Sequence, residues 1–277
     1  METQLVTERQ PLQKIRTKTL LDLKIAGKKF ACLTSYDHLT AGIFDGAGIE
    51  VLLVGDSAAD NALGYSSTLP ITVSEMIPFA RAVASAAKHS LVVVDMPFGS
   101  YEVSTTQALE NGIRILKESG AHAVKIEGGA RVAAVIEALT EAGVPVMAHL
   151  GFTPQSVNQL GGFKVQGRGD SASKLVEDAL AVQDAGAFAL VLELVPAPLA
   201  KEITAALAIP TIGIGAGSGT DGQILVWTDF AGMTTHKPRK FVRSYAKLRD
   251  DLTDAAIRYR ADVQSEVFPS AEESFSE

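Results

Sequence analysis

Five apolar runs in this sequence end in ionisable residues. VLLVGD reaches Asp56, LVVVD reaches Asp95, AVKIE carries Lys125 and Glu127, PVMAH reaches His149 and LVLE reaches Glu193. The stretch 123–129, AVKIEGG, reads as a strand, because Val124 and Ile126 are β-branched and two glycines stop the run. Side chains alternate along a strand, so Lys125 and Glu127 point one way, within reach of each other, and Val124 and Ile126 the other. Burying two charged groups is unfavourable unless each finds a partner or a ligand. A structural ion pair inside a barrel is one reading of this stretch, and a charged site at a strand end is the other. The neighbouring runs favour the second. Five such ends on one rim are hard to explain by stability, because like charges repel and desolvation opposes them. Asp56, Asp95, Glu127 and Glu193 set four carboxylates against one lysine, and the surplus asks for a cation.

Carboxylate oxygens with no cysteine and at most one histidine suit a hard divalent ion, Mg²⁺ before Zn²⁺. Mg²⁺ takes one or two carboxylates directly and keeps water elsewhere, where a chelating substrate can enter. A lysine beside such an ion suits an anionic substrate such as a 2-oxo acid. The ion would polarise the keto group and stabilise an enolate, and a remaining carboxylate would move the α-proton. His149 reads as an accessory group, with hydrogen bonding ahead of proton transfer. The residues alone lead as far as metal-assisted enolate chemistry on a small keto acid.

The elements that must carry these residues follow a rhythm. Strands are expected over 30–34, 51–57, 91–97, 123–127, 145–151, 189–195, 210–217 and 224–228. Helices are expected over 18–27, 38–48, 75–88, 104–119, 130–142, 171–185 and 198–208. The gap between the last two strands is too short for a crossover helix. Eight strands mostly alternating with helices point to a (β/α)8 barrel, whose C-terminal strand ends gather on one face. A doubly wound sheet is the rival. Residues 1–17 read as a short arm. Apolar steps at Phe241, Tyr245, Leu248, Leu252, Tyr259 and Val263 predict one long helix over 238–267. Its basic face, Lys240, Arg243, Lys247 and Arg249, reads as solvated or as a contact for an anionic cofactor tail. Residues 268–277 form an acidic tail. No composition break divides the chain, so residues 1–277 read as one barrel domain.

The 277 residues carry a net charge of −7, which argues against bulk binding to nucleic acid or anionic membrane. The single cysteine, Cys32, lies in an apolar run and allows no internal disulfide and no cysteine-rich zinc site. The polar start METQLVTERQ is not a secretory signal, and no run of 18 apolar residues spans a membrane. A cytoplasmic location fits. His38, His89, His122 and His236 read as surface or packing residues. The run GIGAG (213–217) lacks GxGxxG spacing and a following helix, so it reads as a phosphate cradle or as tight packing rather than as a dinucleotide loop.

The motifs TSYD (34–37), VLLVGDS (51–57), VDMPFGSY (94–101), VKIEGG (124–129), AHLGFTPQSVN (148–158), GGFKVQGR (161–168), LELVP (192–196) and IPTIGIGAG (209–217) together resemble the 3-methyl-2-oxobutanoate (ketopantoate) hydroxymethyltransferase family. The resemblance implies a (β/α)8 barrel of the phosphoenolpyruvate mutase-like superfamily. It implies transfer of a one-carbon unit from 5,10-methylenetetrahydrofolate to 3-methyl-2-oxobutanoate, giving 2-dehydropantoate for pantothenate and coenzyme A. By matching motifs it implies Mg²⁺ on Asp56 and Asp95, with Glu127 bound directly or through water. It assigns the keto acid to Asp56, Ser57, Asp95 and Lys125, and makes Glu193 the proton acceptor. It also implies a homodecamer. The rivals are a carbon–carbon lyase of the same superfamily, which would want a reactive loop cysteine, a barrel that binds without turnover, and a nicotinamide-dependent oxidoreductase.

Overall fold

The computed structural model describes residues 13–235 and 237–275. Residues 1–12 of the expected arm, His236, and residues 276–277 of the expected tail lie outside that range. The chain divides into two compact units between Val226 and Trp227.

In the first unit the strands are β1 (Phe30–Thr34), β2 (Val51–Val54), β3 (Leu91–Asp95), β4 (Ala123–Glu127), β5 (Val146–Gly151), β6 (Ala189–Glu193), β7 (Thr211–Ile214) and β8 (Gly222–Leu225). Each runs parallel to the next, and β8 pairs with β1, so the sheet is a closed barrel in sequence order. That order excludes the doubly wound rival. The strands are short runs rich in Val, Leu and Ile because both of their faces are covered. Alternate residues fill the cylinder: Cys32, Val51, Leu53, Leu91, Val93, Ala123, Met147, Ala189, Val191, Ile212 and Ile224 belong to one buried cluster. The intervening positions, such as Leu52, Val92, Val124 and Leu190, are fully buried on the outer face. Helices lie against them: Val73–Ala86 on β2 and β3, Thr105–Ser119 on β4, and Ser171–Asp184 on β5.

Local chemistry sets the helix starts. Asp37 accepts from the N–H groups of Leu39 and Thr40, and Thr72 and Glu75 form a reciprocal capping box. Ser104 accepts from Gln107 N. Between β7 and β8 there is no helix. The short connection is tied by side chains instead: Gln223 Nε2 donates to Gly217 O, Thr220 Oγ1 to Gly222 O, and Asp221 Oδ2 accepts from Thr211 N. β8 starts and ends earlier than the sequence suggested. Two one-turn helices, Ala58–Asn61 and Val157–Leu160, lie in the loops after β2 and β5.

In the second unit the helix is Leu248–Gln264, 17 residues, little more than half the length the apolar steps predicted. The reason is where the backbone bonds go. Tyr245 N donates to Phe230 O, Leu248 N to Ala231 O and Arg249 N to Gly232 O, so the preceding segment pairs with the turn after Trp227–Phe230 rather than with its own i−4 carbonyls. Tyr245 stacks at 5.3 Å on Phe230. Of the expected basic face only Arg249 is helical. Among the described residues no helix is long and apolar enough to cross a membrane.

Gly151 closes β5 at φ +93°, and a Cβ there would lie 2.1 Å from Glu193 O. Gly27 also has positive φ, +64°, but faces open space. Gly151→Ala is therefore expected to cost about 3 kcal/mol or more, and Gly27→Ala about 1 kcal/mol, in urea unfolding. Equal losses would show that the close approach at Gly151 carries no weight.

Candidate active site

The filling of the barrel changes character along each strand. Leu91 and Val93 are followed on the same face by Asp95, Ala123 by Lys125 and Glu127, Met147 by His149, and Ala189 and Val191 by Glu193. Register then sets neighbours side by side: Asp95 pairs with Lys125, Glu127 with His149, and Gly151 with Glu193. Asp56 arrives from the turn after β2. Gly55 makes that turn, and a Cβ on it would fall 2.9 Å from Ser57 Oγ. The structure thus brings Asp56, Asp95, Lys125, Glu127, His149 and Glu193 to the C-terminal mouth, with Ser57 beside them.

The contacts form a chain. Asp95 Oδ2 accepts from Asp56 N at 2.9 Å, and Asp95 Oδ1 lies 3.1 Å from Lys125 Nζ. Lys125 therefore takes the carboxylate across the ladder rather than Glu127 on its own strand. Its ammonium also lies 3.1 Å from His149 Nδ1. That nitrogen is 3.3 Å from Glu127 Oε1, and His149 Nε2 is 3.3 Å from Glu193 Oε2. The Ser57 hydroxyl meets the Tyr36 hydroxyl at 2.8 Å. Asp56, Asp95, Lys125, Glu127 and His149 are all at most 4% exposed.

A water-poor site shifts its ionisable groups. Burial pushes the Asp56 carboxyl well above its ordinary range, and Asp95 and Glu127 add to the effect. Burial also raises Glu127, to about 7, against the opposing pull of Lys125. Burial alone would depress Lys125, but Asp95, Glu127 and Asp56 outweigh it and hold the ammonium above its usual value. His149 is lowered by burial and by Lys125. A cationic Lys125 donates to His149 Nδ1, so the neutral ring carries its proton on Nε2, toward Glu193.

Each of three acids has one oxygen anchored by an N–H. Asp95 Oδ2 takes Asp56 N, Asp56 Oδ2 takes Gln155 Nε2 at 2.9 Å, and Glu127 Oε2 takes Gln155 N at 3.0 Å. Asp95 Oδ1 is met by the Lys125 ammonium, whereas Glu127 Oε1 is buried without a hydrogen-bond partner. Such an orphan acceptor is uncommon and is where a ligand or ion would be satisfied.

Glu193 is positioned by a tight corner. Phe152 N donates to Glu193 O at 2.8 Å, which is why residue 151 must be glycine. The next residue, Leu194, sits at φ +50°, a strained conformation for a bulky side chain.

Gln155, Tyr101 and Tyr36 were not singled out from the sequence. They are neutral polar residues in loops, and no periodicity or charge marks them. Their only signal is that each lies inside a motif, HLGFTPQSVN, VDMPFGSY or TSYD. In GIGAG, a Cβ on Gly213 would lie 2.7 Å from Thr220 Oγ1 and one on Gly217 would lie 2.4 Å from Ala197 Cβ, which is the packing reading. Cys32 is buried inside the barrel, away from any loop.

Comparison with known proteins gives this site its context. The family described as ketopantoate hydroxymethyltransferase matches residues 14–271. Proteins named 3-methyl-2-oxobutanoate hydroxymethyltransferase are similar across almost the whole chain. The one from Paenarthrobacter aurescens (strain TC1) is 56% identical over 267 residues, covering 96% of this chain and 89% of its own. The one from Leifsonia xyli subsp. xyli is 57% identical, covering 95% of each. That of Mycobacterium tuberculosis (strain ATCC 25618 / H37Rv) is 57% identical, covering 96% and 94%. Among solved structures, a phosphonopyruvate hydrolase complex with oxalate and Mg²⁺ superposes with a TM-score of 0.60 at 14% identity, covering 94% and 93%. A 2,3-dimethylmalate lyase, described as a member of the PEP mutase/isocitrate lyase superfamily, gives 0.57 at 17%, covering 94% and 91%. These distant likenesses show the fold, a (β/α)8 barrel. The identity to the nearer relatives, spread from end to end, shows more: this chain belongs to the ketopantoate hydroxymethyltransferase family and is a transferase of that kind.

Proposed function

We propose that the chain transfers a one-carbon unit from 5,10-methylenetetrahydrofolate to 3-methyl-2-oxobutanoate, giving 2-dehydropantoate, with Mg²⁺ at the mouth of the barrel. The observation that carries this reading is one buried ammonium, paired with Asp95, among buried carboxylates, of which Glu127 presents an oxygen with no hydrogen-bond partner. The reaction needs a cationic place for a keto acid and a base beside it.

The donor set fits a hard divalent ion. Among the described residues no three His, Cys, Asp or Glu side chains converge as a ready-made cage. Mg²⁺ does not need one, since it binds through one or two carboxylates and keeps water on the rest. Asp56 and Asp95 would hold it, with Glu127 directly or through water. A cation there would also favour the ionised forms of Asp56 and Glu127, which burial first and the neighbouring acids second disfavour. When bound, the ion supplies Lewis acidity toward the keto oxygen.

The protein's own groups do the rest. Lys125 holds positive charge where an enolate oxygen develops, in a site too dry for water to screen it. Ser57, oriented by Tyr36, donates to the substrate carboxylate. Glu193 takes the proton from C3, with His149 Nε2 facing its carboxylate at 3.3 Å. The resulting carbon nucleophile meets the methylene unit carried by folate. A lyase reading would want a reactive cysteine in a loop, and Cys32 is buried inside the cylinder. The same proposal takes residues 1–277 as one catalytic domain, in a cytoplasmic homodecamer.

The deciding assay supplies keto acid and methylenetetrahydrofolate with and without Mg²⁺. Formation of 2-dehydropantoate that stops in EDTA is expected, and no product in either condition would overturn the reading. Glu193→Gln should slow exchange of the C3 proton into deuterated water about 10²–10⁴-fold while the keto acid still binds. Unchanged exchange would remove Glu193 from the base role.

Glu127 makes a separate, pH-dependent prediction for the metal-free protein. Its acid is held up to about 7 in the fold, so the stability it contributes is present below pH 4.5 and is lost as pH rises through 7. Glu127→Gln has no such titration. In EDTA the variant should match the parent near pH 5 and melt several degrees higher at pH 8. Mg²⁺ should raise the parent's melting temperature more than the variant's. Parallel melting curves across that range would show that Glu127 does not carry the strain.

A further inference from the structure

We propose that Gln155 is a positioning residue that holds the acids of Asp56 and Glu127 in the geometry in which they receive the cation. The proposal rests on the reading of the site given above. Gln155 lies in the single 3₁₀ turn Pro154–Ser156 that follows β5, and it is only 6% exposed. Its side chain turns in under the mouth. Nε2 donates to Asp56 Oδ2 at 2.9 Å and to Met96 O at 3.0 Å, Oε1 accepts from the Tyr101 hydroxyl at 2.6 Å, and its backbone N donates to Glu127 Oε2 at 3.0 Å. One residue thus joins the chain after β2, the end of β3 and the end of β4.

The amide can point only one way. Met96 O is a backbone carbonyl and can only accept, so the nitrogen must face it and Asp56. The oxygen then faces Tyr101. The Tyr101 hydroxyl has a single proton, and the short contact to Gln155 takes it, leaving a lone pair for Glu127 N at 3.3 Å. Both polar atoms of the Gln155 side chain and its backbone N–H are therefore used, and two of their partners are acids of the site. Its effect on Asp56 and Glu127 is to tie one oxygen of each to an N–H, so the other oxygen is the one free to meet a ligand. Outer partners that orient metal-binding carboxylates are commonly worth about 10–100-fold in affinity or turnover. No other side chain type offers a donor pair and an acceptor at this length. Glutamate lacks the donors, methionine lacks both, and asparagine is too short.

The test uses Gln155→Met, which keeps length and apolar volume, and Tyr101→Phe, which removes only the hydroxyl. Calorimetric titration of the metal-free proteins with Mg²⁺ is read beside steady-state kinetics and melting temperature. For Gln155→Met the Mg²⁺ dissociation constant should rise about 10–100-fold and kcat fall by a similar factor. The KM for methylenetetrahydrofolate should stay within about twofold and the fold should remain intact. Tyr101→Phe should weaken Mg²⁺ binding less, and should add nothing in the Gln155→Met background, because both act through one network. A folded Gln155→Met with parental Mg²⁺ affinity and kcat would overturn the proposal, as would a lowered melting temperature with both unchanged. If Gln155→Met does not fold, Tyr101→Phe decides: weakened Mg²⁺ binding supports the proposal and parental binding overturns it. A parent that binds Mg²⁺ but makes no product would refute the proposed reaction while leaving this comparison of affinities standing.

Discussion

The barrel is a dry cylinder that becomes charged over its last turn of strand. Below that level Val93, Ala123, Met147 and Val191 fill it and keep water out. Above it Asp95, Lys125, Glu127 and His149 stand on the same faces of the same strands, and each is nearly as buried as the apolar residues beneath. Fixed charges in such surroundings cannot be relieved by solvent. They must be relieved by one another, by protons or by a ligand. Everything distinctive about the site follows from that requirement. Asp56 and Glu127 resist ionisation, Lys125 resists losing its proton, and His149 is held neutral.

The fold meets the requirement by dividing the labour within each carboxylate. One oxygen is tied down by an N–H from a neighbouring strand or from Gln155, and the other is left toward a charge or toward nothing at all. The tied oxygens fix orientation, and the untied ones create demand for positive charge. A site built this way is poised before any ligand arrives, because little has to reorient on binding. The proposed chemistry, removal of a proton beside a keto group, would want such a place: cationic at the oxygen and basic at the carbon.

Most of the fold was legible because alternation along a strand is a strong constraint. AVKIE could place Lys125 and Glu127 on one face only, and the parallel order that the helices between strands demand puts all the strand ends together. What alternation could not give was the partner. It suggested Lys125 with Glu127, two residues along one strand, whereas the ladder offers Asp95 on the adjacent strand at shorter range. Gln155 and Tyr101 escaped notice because a neutral polar residue in a loop has no period to betray it. The C-terminal helix was overdrawn because Phe241 and Tyr245 fall at helical spacing by coincidence. Tyr245 instead stacks on Phe230, and the backbone around it pairs with the turn that carries that ring.

The helix-free connection between β7 and β8 has a consequence for how the cylinder breathes. Those two strands share only the pairs Ile212–Gly222 and Gly213–Gln223, whereas β5 and β6 share five. The wall is most thinly stitched there, so transient parting of the staves is cheapest along that seam. Around the ring the seam lies opposite β3 and β4, which carry Asp95, Lys125 and Glu127. The arc whose geometry must hold is thus the arc farthest from where the hoop gives way.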